Sequence, residues 1–87
     1  MSKSLRTPLQ QQLQDALIKL RKSKNLTQAD IALKLGRPQS FVAKYEGGER
    51  RLDVVEFVEV VHALGADPSE LLAELIRNPA GTQPDAV

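Results

Sequence analysis

The residues best suited to chemistry in this sequence are hydrogen-bonding side chains that recur over one short segment. Val42 and Tyr45 are spaced to share one apolar helical face, so the opposite face is polar. That face carries Gln39, Ser40, Ala43 and Lys44. Glutamine can bond adenine N6 and N7, lysine can reach guanine O6 and N7, serine can donate or accept, and alanine can touch a thymine methyl. If this face meets a nucleic acid, these four residues are the candidate contacts to its bases.

Side chains that can bind phosphate flank this face on both sides. Arg37 precedes it, and Arg50 and Arg51 follow it; a guanidinium fork matches phosphate oxygens. Gln28 lies just inside a predicted helix start, where free backbone amides and the positive end of the helix dipole attract an anion. Thr27 is a further candidate, although the same hydroxyl is expected to cap that helix. We predict that these residues contact the DNA backbone.

Phe41 stands at the edge of the polar face, where an aromatic ring is not needed for solubility. Two interpretations follow. The ring packs at the rim of the core against the second or fourth helix, or it lies against deoxyribose or a thymine methyl. On the second interpretation, Phe41 joins the candidate backbone contacts.

Composition excludes most kinds of catalytic and metal site. The 87 residues include no cysteine and one histidine, which excludes disulfides, thiolate ligands and the usual multi-histidine zinc cluster. There is no Ser-His-Asp set and no phosphate-binding loop, and so small a helical domain offers little concave pocket. We predict no catalytic residue, no metal and no cofactor, and therefore no enzyme.

Charge is distributed unevenly along the chain. Residues 1–52 carry 11 Lys/Arg and 4 Asp/Glu (net +7), and residues 53–87 carry one arginine and 7 acidic residues (net −6), which sum to +1. Such asymmetry indicates a half that faces a polyanion, with a basic solvated face as the alternative. No apolar run approaches the roughly 18–20 residues that span a bilayer, and the first residues lack a signal-peptide core. We expect a soluble cytoplasmic protein that works at the nucleoid.

Helical start and stop signals predict five short helices and no strands. The first, over about residues 8–22, has leucines at three- and four-residue steps. The second begins at Thr27, which forms a capping box with Asp30, and it ends at Gly36. The third covers about residues 38–46, where proline suits the first turn. A tight turn containing glycine joins the second and third helices, which is the helix-turn-helix geometry.

Two further helices occupy the acidic half. A capping box of Asp53 and Glu56 opens the fourth, whose predicted apolar side consists of Val54, Val55, Val58, Val61 and Leu64. Asp67, with a proline at the first helical position and an acid at the third, opens the fifth. The domain is thus expected at residues 8–77 with its motif at 27–47, between a flexible tail at 1–7 and a disordered one at 78–87.

Residues 9–76 resemble the Cro/repressor-type helix-turn-helix family of bacterial and phage transcription regulators, often called the XRE family. The matching runs are Leu26-Thr27-Gln28-Ala29-Asp30-Ile31-Ala32, Leu35-Gly36-Arg37-Pro38, Tyr45-Glu46-Gly47-Gly48 and Leu64-Gly65-Ala66-Asp67-Pro68 with Leu71-Leu72. The resemblance implies an all-α, compact five-helix bundle of the phage-repressor-like type. It also implies a sequence-specific regulator that inserts the helix of about 38–46 into the major groove of double-stranded DNA.

The resemblance assigns roles to individual residues. Family members contact the DNA backbone with a glutamine at the place of Gln28 and with the loop after the recognition helix. They often pair an arginine at the end of the first helix with the glutamate that closes the recognition helix, which here are Arg21 and Glu46. We expect this ion pair to be structural and exclude it from base reading. Glu49 departs from the family pattern, in which a basic residue is more usual.

The fifth helix and the C-terminal tail are the predicted dimer contacts. The apolar residues of this helix exceed the need of one stripe, and they are Leu71, Leu72, Leu75 and Ile76. A homodimer fits the two half-sites, about one helical turn apart, that this motif usually reads. The alternative is a protein-binding module, such as an antitoxin whose acidic C-terminal half docks a partner. That role does not exclude DNA binding.

Overall fold

Five helices, as predicted, make up the structure, a computed structural model that describes residues 7–78. They are α1 (Pro8–Ser23), α2 (Gln28–Leu35), α3 (Gln39–Glu46), α4 (Val54–Ala63) and α5 (Pro68–Arg77). These residues include no strand, so the all-α class is confirmed. Apart from Thr7 and Asn78, the two predicted tails lie outside the described residues. Across residues 7–78, no helix is long and apolar enough to cross a membrane.

Side chains cap the start of four of these helices. The α2 cap is reciprocal, as predicted: Thr27 Oγ1 accepts from Asp30 N at 3.0 Å, and Asp30 Oδ2 accepts from Thr27 N at 2.8 Å. Asp53 and Glu56 form the second predicted capping box, at the start of α4. For α3 the cap is Pro38, whose backbone is extended, so the helix begins one residue later than predicted. These caps fix where each helix starts.

Aliphatic side chains and two aromatic rings fill the core between the helices. α2 packs against α3 and α4, α1 packs against α3 and α5, and α4 packs against α5. The buried cluster consists of Leu17, Ile31, Ala32, Phe41, Val42, Tyr45, Val60, Val61 and Leu64. Burial raises the pKa of the Tyr45 hydroxyl. Because α3 supplies four buried residues, its orientation is set by the core.

The predicted apolar side of α4 is wrong at its first turn. Val54 and Val55 are 78% and 66% exposed, whereas Val60, which the prediction omitted, is fully buried. Val55 shares its helical face with the exposed Glu59 and His62. Val54 lies at the end of the helix, on an open groove that it lines with Phe57, Leu72 and Leu75. Helical spacing identifies a face but not how much of it the neighbouring helices cover.

Candidate nucleic-acid interface

A tight left-handed turn sets the angle between α2 and α3. Gly36 has φ +67°, a conformation that L side chains rarely adopt. Its N–H and that of Arg37 donate to Leu33 and Ala32 carbonyls at 3.2 and 3.0 Å, which closes the end of α2. The buried Ile31 and Ala32 of α2 belong to the same cluster as Val42 of α3. The two helices therefore pack together as a helix-turn-helix unit.

The two faces of α3 differ sharply in exposure. Phe41, Val42, Tyr45 and Glu46 are buried, with exposed fractions of 8% or less. The four candidate base contacts, Gln39, Ser40, Ala43 and Lys44, are all exposed. They share the outer face of a helix held by its core side, which is how a recognition helix presents side chains to the major groove.

A largely buried ion pair lies at the end of α3. Arg21 Nε is 2.7 Å from Glu46 Oε2, and Arg21 Nη2 donates to Glu46 Oε1 at 3.0 Å. Arg21 Nη1 also donates to the Leu26 carbonyl at 2.8 Å, just before α2. The side chains of Arg21 and Glu46 are only 11% and 5% exposed. Hydrogen bonding to Glu46 raises the pKa of Arg21. Through these contacts the pair ties α1, α3 and the start of α2 together.

This ion pair extends outward to the reading face through two glutamines. Gln28 Nε2 donates to Glu46 Oε1 at 2.9 Å, and Gln39 Nε2 donates to Gln28 Oε1 at 3.3 Å. A chain of hydrogen bonds thus runs from Arg21 through Glu46 and Gln28 to Gln39. Within residues 7–78 it leaves Oε1 of Gln39 and one amide hydrogen on each glutamine for a ligand. It orients a candidate backbone contact and a candidate base contact together.

Gln14 also holds the end of α3, a role that was not predicted from the sequence. Its side chain is buried, and its Nε2 donates to the Glu46 carbonyl at 3.4 Å. Among the described residues, its buried Oε1 has no hydrogen-bond partner. The available signal was a polar residue at helical spacing from Leu17 and Arg21, inside the apolar stripe of α1.

A second ionic cluster flanks the first turn of α3. Arg50 donates from its two terminal nitrogens to the two carboxylate oxygens of Glu56, at 2.8 Å each. Arg37 Nη2 lies 3.7 Å from Glu56 Oε2. Hydrogen bonds from Arg50, then from the Asp53 backbone, lower the pKa of Glu56 to about 2. The sequence predicts Glu56 only as part of a helix cap, because no local spacing links it to the loop that carries Arg50.

Phe41 lies beneath the two arginines of this cluster. The Cζ atoms of Arg37 and Arg50 are 4.3 and 4.9 Å from the centroid of its ring, which also contacts Tyr45 edge-on. With 8% of its surface exposed, Phe41 follows the first of its two interpretations and belongs to the core. Little of the ring remains for direct contact with deoxyribose.

The other candidate residues lie at separate places. Thr27 uses its hydroxyl to accept the capping hydrogen bond from Asp30 N, and Arg51 is exposed in the loop after α3. On α5, Leu72 and Ile76 are 48% and 71% exposed. Leu71 packs against the core, and Leu75 is 8% exposed, so their surfaces are used mainly inside the domain. Of the four predicted dimer contacts, two therefore present substantial apolar surface.

Comparison with known proteins identifies the family of the chain. The profile of the helix-turn-helix family matches residues 17–71. The chain is 32% identical over 65 residues to the uncharacterized HTH-type transcriptional regulator y4dJ of Sinorhizobium fredii (strain NBRC 101917 / NGR234), a match covering 75% of this chain and 84% of the relative.

A solved structure is similar in both sequence and fold. It is described as an XRE-family like protein from Pseudomonas syringae pv. tomato str. DC3000, with 45% identity and a TM-score of 0.79. The match covers 82% of this chain and 87% of that one. This family is a class of transcriptional regulators and not a class of enzymes. The family profile and both relatives show that the chain belongs to the XRE-type helix-turn-helix family of DNA-binding transcriptional regulators.

Proposed function

We propose that the protein reads a specific sequence in double-stranded DNA by placing α3 in the major groove. The observation that carries this proposal is the outer face of α3, where four exposed side chains stand on a helix fixed from below by the core. Gln39 and Lys44 are the principal base contacts, for adenine and guanine respectively, with Ser40 and Ala43 beside them. The hydrogen bond from Gln39 to Gln28 supports a preformed reading geometry.

Contacts to the DNA backbone surround this face in the proposed complex. Gln28 offers an amide hydrogen at the start of α2, next to the Thr27 hydroxyl. Arg37 and Arg50 present guanidinium groups at the flank of α3 that Phe41 occupies, and Arg51 follows in the loop. Phe41 takes no direct part, because its ring is covered by two of these arginines. Backbone contacts of this kind set the register of α3 but carry no sequence information.

The functional unit is proposed to be a homodimer on an inverted repeat in the bacterial cytoplasm. Leu72 and Ile76 supply its contact, and the neighbouring groove of Val54 and Phe57 extends the apolar surface. Exposed apolar surface of this kind commonly marks an interaction site. The same surface lies in the acidic half, so docking of a different protein, as in an antitoxin, is the alternative.

Selection of binding sites from a random duplex library, at two salt concentrations, tests the reading of DNA sequence. We expect an enriched inverted repeat with half-sites about 10 base pairs apart. Salt-sensitive retention without an enriched motif would instead make the basic half a general DNA surface. Absence of binding would favour a protein partner at the acidic half.

A substitution on α5 tests the dimer. Ile76→Asp places a charge in the proposed interface, whereas Leu33→Asp places one on an equally open leucine of α2, which is 83% exposed. Analytical ultracentrifugation with the selected DNA should show two chains per repeat for the wild type and for Leu33→Asp, and one for Ile76→Asp. Equal stoichiometry for all three proteins contradicts the α5 interface.

A further inference from the structure

Four side chains from separate parts of the chain converge beside the first turn of α3. Arg37 comes from the turn, Phe41 from α3, Arg50 from the loop and Glu56 from α4. We call them the arginine cluster. Both guanidinium groups lie over one aromatic ring, and both face one carboxylate.

Two features of the arginine cluster restrict how its guanidinium groups move. The ring face of Phe41 attracts a cation electrostatically, and it does so for both arginines. The paired hydrogen bonds between Arg50 and Glu56 fix the plane and rotation of that guanidinium. An arginine that is already held in place loses less conformational freedom when it binds a ligand.

The arginine cluster retains hydrogen-bonding capacity toward an anion. An arginine has five N–H donors, and Arg50 uses three of them on Glu56 and the Arg51 carbonyl. Within the described residues, two donors of Arg50 remain, and Arg37 is 3.7 Å from Glu56, beyond hydrogen-bond distance. The side chains of the arginine cluster carry a net charge of +1, and the nearby Asp53 also attracts Arg50. Both arginine side chains are 38% exposed, whereas Glu56 is 12% exposed.

We propose that Phe41 and Glu56 are positioning residues that hold the guanidinium groups of Arg37 and Arg50 ready for a phosphate of the DNA backbone. The inference rests on the proposed binding of DNA and adds how the phosphate contact is built. Glu56, although acidic, thereby strengthens binding to a polyanion. The benefit of holding the two arginines in place exceeds the repulsion between the Glu56 carboxylate and the phosphate.

The sign of one substitution tests this inference. Glu56→Gln removes the charge but keeps the capping box, in which glutamine serves as well as glutamate. If Glu56 only neutralises the arginines, removing its negative charge strengthens binding to DNA. If Glu56 positions the arginines, the same substitution weakens binding to DNA. Glu49→Gln is the matched control, because it removes the same charge from an exposed carboxylate next to Arg50.

Binding is measured by fluorescence anisotropy on a mixed-sequence duplex, across a series of salt concentrations. We expect Glu56→Gln to bind about three- to tenfold more weakly, with the slope of log K against log salt reduced by about one. Glu49→Gln should bind as tightly as the wild type or slightly tighter. Binding by Glu56→Gln that equals or exceeds that of the control overturns the positioning role. Absence of salt-dependent binding by the wild type overturns the proposed DNA binding itself.

A double-mutant cycle keeps the test decisive if Glu56→Gln is less stable. Arg50→Ala should weaken binding several-fold in the wild type and by less than about twofold in the Glu56→Gln protein, since an unpositioned arginine contributes little. Equal effects in both backgrounds contradict the inference. Phe41→Leu, which keeps an apolar side chain but removes the ring face, should weaken binding in the same direction. Thermal unfolding establishes that each variant is folded at the temperature of the assay.

Discussion

Two carboxylates, Glu46 and Glu56, each bind an arginine next to α3, but their surroundings differ. Glu46 and Arg21 are 5% and 11% exposed and lie under the helix. Glu56 and Arg50 are 12% and 38% exposed and lie at its flank. Both pairs have short charge-assisted hydrogen bonds, of 2.7 and 2.8 Å. The same chemistry therefore occurs once inside the protein and once at its surface.

This difference in burial assigns the two pairs to different tasks. Removing one partner of a buried pair leaves a charge without solvent or counter-ion, which is costly to the fold. The Arg50–Glu56 pair is more open to water and salt, which screen it and reduce its contribution to stability, and the spare donors of Arg50 remain accessible to a phosphate. We infer that the Arg21–Glu46 pair holds α3 in place, and that the Arg50–Glu56 pair prepares a contact with DNA.

The largest expected effect is on stability, from Arg21→Ala. This change leaves Glu46 buried without its partner, so the free energy of unfolding should fall by about 3 kcal/mol. Urea unfolding followed by circular dichroism measures it, with Lys22→Ala, an exposed neighbour on α1, as the control. Replacing both partners, as Arg21→Met with Glu46→Leu, should recover part of the loss. If Arg21→Ala lowers the free energy of unfolding no more than Lys22→Ala does, the Arg21–Glu46 pair contributes no more to the fold than a surface ion pair.

The next effect is on base reading, which neither pair performs directly. Lys44→Ala should cost about 1–3 kcal/mol on the selected DNA site and relax the preference at one base position. Lys34→Ala, on the exposed side of α2, is the control. Competition binding against single-base variants of the site measures the change. Equal weakening on all sequences would make Lys44 a phosphate contact instead.

Arg50→Ala should separate binding from folding. We expect weaker binding to every sequence and a salt slope lower by about 0.9, because one phosphate contact is lost. The loss of stability should be smaller than that of Arg21→Ala, because the Arg50 side chain is far more exposed. An unchanged slope would remove Arg50 from the contacts and reduce its pair to a surface salt bridge.

The smallest effect is a dependence of stability on pH. The folded pKa of Glu56, lowered to about 2 from an ordinary value of 4.5, means that its ionised form stabilises the protein above that ordinary value. The stabilisation falls as pH decreases from about 5 toward 2, because the unfolded chain binds the proton first. The difference in melting temperature between wild type and Glu56→Gln should therefore narrow between pH 7 and pH 3. A constant difference over this range contradicts the role of the ionised carboxylate.

The helices were predictable because their signals are local. The caps at Thr27 and Asp53 depend on partners three residues away, and Gly36 follows directly on the helix that it ends. The exposed side of α3 also followed from spacing, once Val42 and Tyr45 were taken as buried. The apolar side of α4 was partly missed, since the exposure of Val54 depends on where its neighbouring helices end.

The sequence by itself determined which segments are helical, which face of α3 is polar and which half of the chain is basic. These properties depend on residue type and on spacings of three or four residues. Only the tertiary structure decided that Glu46 joins Arg21 to Gln28, and that Phe41 and Glu56 hold two arginines from elsewhere in the chain. Such contacts form between helices whose relative positions depend on how the whole core packs, and no short-range spacing encodes them.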